Sequence, residues 1–437
     1  MVTDYKSALA FIHGRPRFKK RPTLERMKLF LARLGHPEQG LKYLHITGTN
    51  GKGSVVAMTQ AMLTSSGLTV GTFTSPFITR FNERIAIDGQ PISDTDLVKF
   101  VQQVEPVVQA LDQELSEGGP TEFEIDLAVA MLYFQASQPD VVILEVGIGG
   151  KWDSTNVIVP EVAVIVTVGY DHMAILGDTL TAIAEHKAGI IKKQRPTIVG
   201  QLVPAAMAVV KATAEVKKSQ LITLGNDFTV ENLNPGALFA HIKFNSPDLH
   251  NFQVRLNLAG EYQITNAAIA IQLVLTFLRR QHLTVQPSVL KSALAKVTWP
   301  GRLEVVNDEP LMLLDGAHNL PGIQALTKTI QDDLSNYDIY LLIGILADKQ
   351  AELMLGELAS LPNVHFYLTQ FKGPSAKRPS ADLGVLIEQI NTRYPVKEVT
   401  SWQLGLSQIT QDMSANDVII MTGSLYFISE IRNFLES

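Results

Sequence analysis

The segment from residue 43 to residue 66 constrains the fold of this chain more than any other. An apolar run from Tyr43 to Thr47 stops where three glycines fall within six positions, and a helical pattern then runs from Val55 to Ser66. Glycines let backbone N–H groups turn toward one point without obstruction by Cβ atoms, and the start of a helix adds the positive end of its dipole. The segment therefore predicts a strand, a phosphate-sized turn and a helix.

The residues of this turn suit a polyphosphate. Lys52 would neutralise the β- and γ-phosphates, and the Ser54 hydroxyl would face a magnesium ion. The match to the general pattern G-x-x-x-x-G-K-[ST] is incomplete, because Ile46 stands at the first glycine position and Gly53 follows the lysine. At this point a glycine-rich turn with a solvated lysine stays open as the alternative.

Further apolar runs alternate with helical patterns on both sides of a Pro-Gly break at Val297 to Arg302. This rhythm predicts an α/β fold of two domains, residues 1–297 and 298–437. We expect a P-loop-type, mostly parallel sheet in the first domain, with a small antiparallel appendage between about Leu221 and Leu258. A smaller, Rossmann-like α/β domain is expected to follow. The predicted strands are Leu68 to Thr74, Val141 to Val146, Val162 to Val168, Thr197 to Gly200, Leu311 to Leu314, Ile339 to Ile345, Val364 to Leu368, Val396 to Thr400 and Val418 to Met421.

Composition excludes several classes of function. The net charge of −6 gives a nucleic-acid partner little electrostatic support, and the basic run from Arg15 to Arg21 is interpreted as a solvated face. No run reaches about 18 consecutive apolar residues and no secretion signal is recognisable, so we expect a cytoplasmic protein without a membrane partner. Cysteine is absent. A metal must therefore be held by oxygen or imidazole, which favours Mg²⁺.

Four polar residues stand where apolar ones are expected: Ser75, Glu145, His172 and Lys187. Ser75 and Glu145 are candidate magnesium ligands, with His172 as a less usual one. Three of them have simpler explanations: Ser75 would only form a turn, His172 would be a loop histidine, and Lys187 would lie on a helix surface. Glu145 is the hardest to explain so, because a carboxylate in a buried strand is costly without a cation or a donor.

The second predicted domain has a matching strand-to-glycine turn that carries Asp315 and His318. Asp315 would accept hydrogen bonds from ribose hydroxyls and His318 would contact phosphate, or both would cap the next helix. Arg302 is a candidate phosphate clamp or an interdomain salt bridge. Asn266, at a predicted helix start, would cap that helix or pair with the edge of adenine.

Seven strings in both halves of the chain carry a family resemblance. They are Thr47-Gly48-Thr49-Asn50-Gly51-Lys52-Gly53-Ser54, Thr74-Ser75-Pro76-Phe77 with Arg80-Phe81-Asn82-Glu83-Arg84-Ile85, Glu145-Val146-Gly147-Ile148-Gly149-Gly150, Asp171-His172 with Leu176-Gly177, His186-Lys187-Ala188-Gly189-Ile190, Pro300-Gly301-Arg302, and Asp315-Gly316-Ala317-His318-Asn319. In these strings the chain resembles the folylpolyglutamate synthase and dihydrofolate synthase family of the Mur ligase superfamily, which forms amides with ATP. The likeness runs over nearly the full length.

The resemblance implies roles for individual residues. The ATP phosphates would be bound by Asn50, Gly51, Lys52, Gly53 and Ser54, and the nucleotide would also be contacted by Asn266, Arg302 and Asp315. Two magnesium ions would be held by Ser75, Glu145 and His172. Lys187 matches a lysine that CO₂ carbamylates, and His318 matches a histidine near the phosphates, so that Lys52, Lys187, Asp315 and His318 would form the catalytic set. The folate would contact Phe77, Arg84, Thr121, Glu122, Phe123, Asp153, Ser154 and Thr155. Tyr262 departs from the family, in which many relatives have histidine.

The expected function is therefore an ATP- and Mg²⁺-dependent ligase that adds L-glutamate to reduced folates through an acyl phosphate, with ATP lying between the domains. Dihydrofolate synthesis from dihydropteroate, alone or as a second activity, is the close alternative. A nucleotide-binding switch or scaffold that makes no bond is the alternative from another class. The expected partners are the small-molecule substrates ATP, reduced folate and L-glutamate, and the expected state is a monomer.

Overall fold

The fold is built on a large sheet whose first strand is the one predicted before the glycine-rich turn. The computed structural model describes residues 1–16, 23–284, 286–373, 378–382, 384–387 and 390–435. Most of the basic run from Arg15 to Arg21 therefore lies outside the described residues. The chain divides into two compact units, Met1–Thr229 with Asn245–His250 and Asn266–Ala293, and Val230–Phe244 with Asn251–Thr265 and Leu294–Ser437.

Within the described residues, the large sheet has eight strands in the order β4-β3-β2-β5-β1-β6-β7-β8. Their bounds are β1 Tyr43–Thr47, β2 Val70–Phe73, β3 Ile85–Ile87, β4 Gln90–Pro91, β5 Val141–Glu145, β6 Val162–Ile165, β7 Thr197–Val199 and β8 Leu221–Thr223. All neighbours are parallel except β3, which runs antiparallel to β2 and β4. Strands β1, β2, β5 and β6 are buried along their whole length, which explains why they appear as continuous apolar runs in the sequence.

Helices connect these strands and cover the sheet. They are α1 Tyr5–His13, α2 Glu25–Arg33, α3 Lys52–Ser65, α4 Asp94–Glu114, α5 Glu122–Ser137, α6 Met173–Leu176, α7 Leu180–Ala188, α8 Pro204–Lys217, α9 Tyr262–Arg280 and α10 Pro287–Leu294. A core of large side chains, including Phe30, Phe73, Phe100 and Phe134, joins α2, α4 and α5 to strand β2. Within the described residues, no helix is both long and apolar enough to cross a membrane.

The predicted antiparallel appendage is a separate three-stranded sheet in the order β11-β10-β9. Its strands are β9 Thr229–Asn232, β10 His241–Ser246 and β11 Leu249–Arg255. The predicted start of the appendage at Leu221 is wrong, because Leu221–Thr223 forms β8 and pairs in parallel with β7 of the large sheet. The connection that a parallel pairing requires is helix α8, which was not predicted from the sequence.

The second α/β sheet also agrees with the prediction. In the described part of the chain it has six strands in the order β12-β13-β17-β14-β15-β16, and only β12 is antiparallel to its neighbour. Its strands are β12 Glu304–Asp308, β13 Leu311–Leu314, β14 Ile339–Ile343, β15 Val364–Thr369, β16 Lys397–Val399 and β17 Val418–Thr422. Its helices are α11 Leu320–Asp333, α12 Ala351–Ala359, α13 Gly384–Ile387, α14 Trp402–Asp412 and α15 Leu425–Leu435. The mixed α/β fold with two sheets and an antiparallel appendage is thus confirmed.

Candidate active site

The glycine-rich turn between β1 and α3 has a backbone that only glycine suits at its tightest point. Gly51 has a φ of +85° and stands immediately before α3. A Cβ atom at Gly51 would lie 2.9 Å from Val166 Cγ1 and would overlap the Asn266 side chain. Both the left-handed φ and the missing space exclude a larger residue here.

The segment after β6 holds this turn in place. The N–H of Asn50 donates to Thr167 Oγ1 at 2.9 Å, and the same hydroxyl donates to the carbonyl of Asn50 at 2.9 Å. The N–H of Thr49 donates to the carbonyl of Thr167 at 3.0 Å, and Thr49 Oγ1 donates to the carbonyl of Gly169 at 3.0 Å. These four hydrogen bonds fix the main chain of the turn.

Lys52, Glu145 and Ser75 meet beside this turn. The ammonium of Lys52 lies 4.0 Å from Glu145 Oε1 and donates to the carbonyl of Gly48 at 3.0 Å. The Glu145 side chain is about 5% exposed, and its Oε2 accepts a hydrogen bond from the N–H of Ser75 at 3.2 Å. The predicted phosphate-binding lysine and two predicted metal ligands are therefore neighbours.

Sheet topology explains why residues so distant in sequence meet. Strands β2, β5 and β1 are adjacent and parallel, so their carboxyl ends share one edge of the sheet. Ser75 follows β2, Glu145 ends β5, and the glycine-rich turn follows β1. Ligands of open α/β sheets bind at this edge.

Lys187 is 2% exposed on α7. Burial is the main cause that moves the pKa of Lys187 well below its usual range; the positive charge of Lys52 lowers it further, and Asp171 opposes the shift. The structure thus places the predicted carbamylation site within the electrostatic reach of Lys52 and favours its neutral amine.

His172 stands at the start of α6 with a φ of +50°. Its N–H donates to Asp171 Oδ1 at 2.9 Å, and its ring Nε2 lies 3.8 Å from Asp171 Oδ2. Among the residues that the structure describes, no group of three or more His, Asp or Glu side chains could hold a metal ion by itself. An ion at this edge would need hydroxyl, water or phosphate oxygens in addition.

Ser54 adds one hydroxyl to the first turn of α3. It is 1% exposed, and its Oγ has no hydrogen-bond partner among the described residues. A buried hydroxyl without a partner costs free energy unless a ligand satisfies it. The sequence-based assignment of Ser54 to an ion or phosphate is consistent with this state.

The predicted folate residues around Arg84 form a mixed aromatic and charged group. The Arg84 guanidinium lies 5.3 Å from the Phe77 ring centroid and 3.8 Å from Asp126 Oδ2. Glu122 Oε1 lies 2.9 Å from His13 Nδ1. Arg84 and Glu122 thus each have a charged or aromatic neighbour in this group.

Thr121 and Phe123 have structural partners in the same region. The Thr121 hydroxyl belongs to the capping box of α5 and donates to Glu124 Oε2 at 3.0 Å. The Phe123 ring packs 5.5 Å from the Phe73 ring, between centroids. A Cβ atom at Gly147 would lie 2.9 Å from the Phe123 ring, so Phe123 borders the turn that follows Glu145.

Asp126 is a charged residue of this region that the sequence analysis missed. It is 1% exposed on α5, and neither carboxylate oxygen has a hydrogen-bond partner among the described residues. Burial raises the pKa of Asp126 to about 7, while Arg84 opposes the shift. The signal was present, because Asp126 is a lone carboxylate in the otherwise apolar run Ile125 to Met131.

Asp153 and Thr155 lie together behind the turn at Gly147. Asp153 Oδ2 accepts from the N–H of Ile148 at 2.9 Å, and Oδ1 accepts from the Thr155 hydroxyl at 2.5 Å. Burial raises the pKa of Asp153, and these hydrogen bonds oppose the shift. Ser154 is half-buried between them.

In the second unit, Asp315 follows β13 and accepts three hydrogen bonds. Its Oδ1 accepts from the N–H of Ala317 at 2.9 Å, and its Oδ2 accepts from the N–H of Leu303 at 3.0 Å and from the Tyr262 hydroxyl at 3.3 Å. Burial raises the pKa of Asp315, and the charge of Arg302 opposes the shift. Tyr262 is therefore a direct hydrogen-bond partner of Asp315.

The turns that carry Arg302 and His318 are also joined. The N–H of Gly316 donates to the carbonyl of Gly301 at 2.8 Å, and His318 Nδ1 lies 2.8 Å from the carbonyl of Gly316. Asn266 belongs to the first unit. It is the fifth residue of α9, not a helix-start residue, because the helix begins earlier, at Tyr262.

Comparison with known proteins gives a consistent result over the whole chain. Residues 46–274 match the Mur ligase middle domain, and residues 301–425 match the Mur ligase glutamate ligase domain. The chain is 40% identical to the dihydrofolate synthase/folylpolyglutamate synthase of Bacillus subtilis, covering 100% of each, and 39% identical to the folylpolyglutamate synthase of Lacticaseibacillus casei, covering 99% of each. A solved FPGS–AMPPCP–folate complex matches with a TM-score of 0.87 and 39% identity, covering 100% of both chains.

Proposed function

We infer the activity from one premise: the chain belongs to the Mur ligase family, and within it to the dihydrofolate synthases and folylpolyglutamate synthases. It is an ATP-dependent ligase that forms C–N bonds. We propose that it joins L-glutamate to the glutamyl carboxylate of a reduced folate. The full-length similarity to folylpolyglutamate synthases is the observation that carries this proposal.

The proposed reaction has two steps. A carboxylate oxygen of the folate attacks the γ-phosphorus of ATP, the bond to the β,γ-bridging oxygen breaks, and an acyl phosphate and ADP form. The amine of glutamate then attacks the acyl carbon, loses a proton and expels phosphate, which leaves an amide. In such a reaction the protein contributes mainly positioning and the neutralisation of charge.

Lys52 and the turn before α3 are proposed to bind the triphosphate. The N–H groups of Asn50, Gly51, Gly53 and Ser54 and the start of α3 would face the phosphates. The ammonium of Lys52 donates to the carbonyl of Gly48 and lies 4.0 Å from Glu145 Oε1. In the complex it would form an ion pair with the γ-phosphate. The hydrogen bonds between Asn50 and Thr167 support this role, because they fix the main chain of the turn.

Ser75, Glu145 and His172 are proposed as magnesium ligands, for two ions. The fit rests on the chemistry of the donors: a nearly buried carboxylate beside Ser75, and a buried Ser54 hydroxyl without a partner. Mg²⁺ accepts such a sparse protein site because it keeps water and phosphate oxygens as further ligands. Bound there, it would neutralise charge on the transferring phosphoryl group.

Lys187 is proposed to carry a carbamate. The amine nitrogen adds to the carbon of CO₂ and loses a proton, which converts a cation into an anion that suits a metal. Only the neutral amine reacts in this way, and the lowered pKa of Lys187 supports it. The side chain is buried, so the product would be protected from bulk water.

The remaining sequence-based assignments stay proposals. Asn266, Arg302 and Asp315 would contact the nucleotide, and His318 would lie near its phosphates. The folate would be bound by Phe77, Arg84, Thr121, Glu122, Phe123, Asp153, Ser154 and Thr155. We also propose a domain boundary near residue 298, a monomeric state and a cytoplasmic location.

Dihydrofolate synthesis is the second candidate activity. The observation that favours it is the 40% identity to a Bacillus subtilis protein whose name includes both activities. Dihydropteroate would then be the carboxylate substrate, and the same phosphate and metal residues would act. The two activities therefore differ in the acceptor alone.

The test is an assay of the purified full chain with tetrahydrofolate and, separately, with dihydropteroate. We expect glutamate-dependent release of ADP with tetrahydrofolate, and its appearance with dihydropteroate would add the second activity. Lys52→Ala should lose product formation while circular dichroism shows retained folding. A wild-type chain that binds ATP but releases no ADP with either acceptor would support a nucleotide-binding switch instead.

A further inference from the structure

A histidine lies at the centre of the large sheet, where its neighbours are apolar. His45 is the third residue of β1, and its strand is flanked on both sides, by β5 and β6. Its exposure is 0%, and its partners in register are Leu144 and Ala163. A buried imidazole in a central strand costs free energy unless its nitrogens have partners.

His45 begins a chain of hydrogen bonds that ends at the turn after Glu145. His45 Nε2 lies 2.8 Å from Thr155 Oγ1, and Thr155 Oγ1 lies 2.5 Å from Asp153 Oδ1. Asp153 Oδ2 then accepts from the N–H of Ile148 at 2.9 Å. Three side chains thus connect the central strand to the Gly147–Gly150 turn.

The direction of each bond follows from the number of protons available. Asp153 accepts from two backbone N–H groups, those of Ile148 and Thr155, and so acts as the acceptor. Thr155 has one hydroxyl proton, which goes to Asp153, so its oxygen must accept from His45. His45 therefore carries its proton on Nε2.

The other ring nitrogen confirms that the imidazole is neutral. His45 Nδ1 is buried and has no hydrogen-bond partner among the described residues. A charged ring would place a second N–H there without an acceptor. Burial, with a smaller contribution from the positive charge of Lys192, lowers the pKa of His45 to about 3.

We propose that His45 is a positioning residue for the acceptor substrate: through Thr155 it fixes Asp153 and the turn at Gly147, and thereby sets the affinity for the folate. Two predicted folate residues converge on that turn, since a Cβ atom at Gly147 would lie 2.9 Å from the Phe123 ring and 3.1 Å from Asp153 Oδ2. The inference rests on the proposed function, because it assigns Asp153 and Phe123 to the folate.

Substitutions at His45 separate positioning from simple packing. His45→Gln keeps an N–H donor near the position of Nε2, whereas His45→Leu fills the space without a donor. We expect His45→Leu to raise the KM for folate about 10-fold, as the loss of one buried hydrogen bond predicts, while the KM for ATP changes less than about 2-fold. His45→Gln should recover most of the affinity.

Thr155 provides a second variant of the same hydrogen-bond chain in case His45→Leu does not fold, because its hydroxyl is bonded to both His45 and Asp153. Thr155→Val removes the hydroxyl at constant shape, and Thr155→Ser keeps it. Thr155→Val should raise the folate KM as His45→Leu does, and the double variant should be no worse than either, because both break one chain. Equal effects on folate and ATP, equal behaviour of His45→Gln and His45→Leu, or additive effects would each overturn the proposal.

A spectroscopic arm distinguishes failure of this inference from failure of the proposed function. Nitrogen NMR of ¹⁵N-histidine-labelled protein should show a neutral His45 with the proton on Nε2 at pH 6, and Thr155→Val should shift that signal. This result needs no turnover. If it holds while no acceptor is converted, the proposed function fails; if a charged or Nδ1-protonated ring is found, the positioning inference fails.

Discussion

Lys187 gives the most specific prediction at the scale of single residues. We expect intact-protein mass spectra in gentle, CO₂-containing buffer to show one added CO₂, which acid treatment removes. Lys187→Ala should lower kcat about 100-fold, because an anion beside the phosphates would be lost. A short free carboxylic acid should restore part of that activity.

Lys192 is a suitable control for Lys187, because its pKa is also lowered, to about 8, and its ammonium donates to the carbonyl of Asn156. Lys192→Ala should keep the mass shift and should not respond to added carboxylic acid. Full activity of Lys187→Ala in CO₂-free buffer would contradict the carbamate.

Asp126 predicts a pH-dependent stability. Its pKa is raised from 3.8 to about 7, by burial first, with Glu122 adding to the shift while Arg84 and His13 oppose it. The folded chain thus holds a proton that the unfolded chain has lost between about pH 4 and 7, so stability falls as the pH rises through this window and is constant above it.

Asp126→Asn should therefore be more stable than the wild type above pH 7, by about 4 kcal/mol, with the difference vanishing near pH 4. Urea unfolding at pH 4.5, 6 and 8 measures this difference. Asp308→Asn, at an exposed position, should show no such trend. A wild type that is more stable than Asp126→Asn at pH 8 would show that the pairing with Arg84 outweighs the cost of burial.

Among the residues that stand out against an apolar background, the sequence identified Glu145 but not Asp126 or His45. Glu145 was recognisable inside a buried strand, and the structure does place it beside Lys52. His45 was not, because a histidine next to Leu44 and Ile46 does not reveal whether its ring has a partner. That partner, Thr155, is 110 positions away.

Among the elements, the segment after β6 is predicted to maintain the glycine-rich turn between β1 and α3. Thr167→Val keeps the shape of the side chain but removes its bonds to the N–H and the carbonyl of Asn50. We expect the KM for ATP to rise about 10-fold. Steady-state kinetics should show no comparable change in the KM for folate, and Thr167→Ser should resemble the wild type. Equal loss in both Thr167 variants would contradict a hydrogen-bonding role.

Strands with a regular apolar pattern could be predicted from the sequence, but some short strands at sheet edges could not. The bounds of β1 and β13 agree with the prediction. Both lie between neighbouring strands, and β1 is buried along its whole length while β13 is buried in its second half. β8 has only three residues at the edge of its sheet, and β12 is half-exposed, so neither has a distinct pattern. The segment from Phe77 to Pro91, for which no strand or helix was predicted, contains a short helical turn and two short strands.

At the scale of the whole molecule, the chain consists of two α/β units, each with polar residues after the carboxyl end of a strand. Lys52 and Glu145 belong to the first unit, and Asp315 to the second. The sequence predicted two domains from the repeated βα rhythm, but the compact units interleave segments between residues 230 and 265. A domain boundary near residue 298 stays a prediction. The alternation of strand and helix patterns does not reveal to which unit the segments between residues 230 and 265 belong.

In the first step of the proposed reaction, the folate carboxylate attacks the γ-phosphate of ATP. The most direct test uses a folate substrate with ¹⁸O in its reacting carboxylate, followed by mass analysis of the phosphate after one turnover with ATP and L-glutamate. An acyl phosphate predicts one ¹⁸O atom in the released phosphate for each amide formed. Phosphate without ¹⁸O, alongside normal amide formation, would contradict an acyl phosphate intermediate.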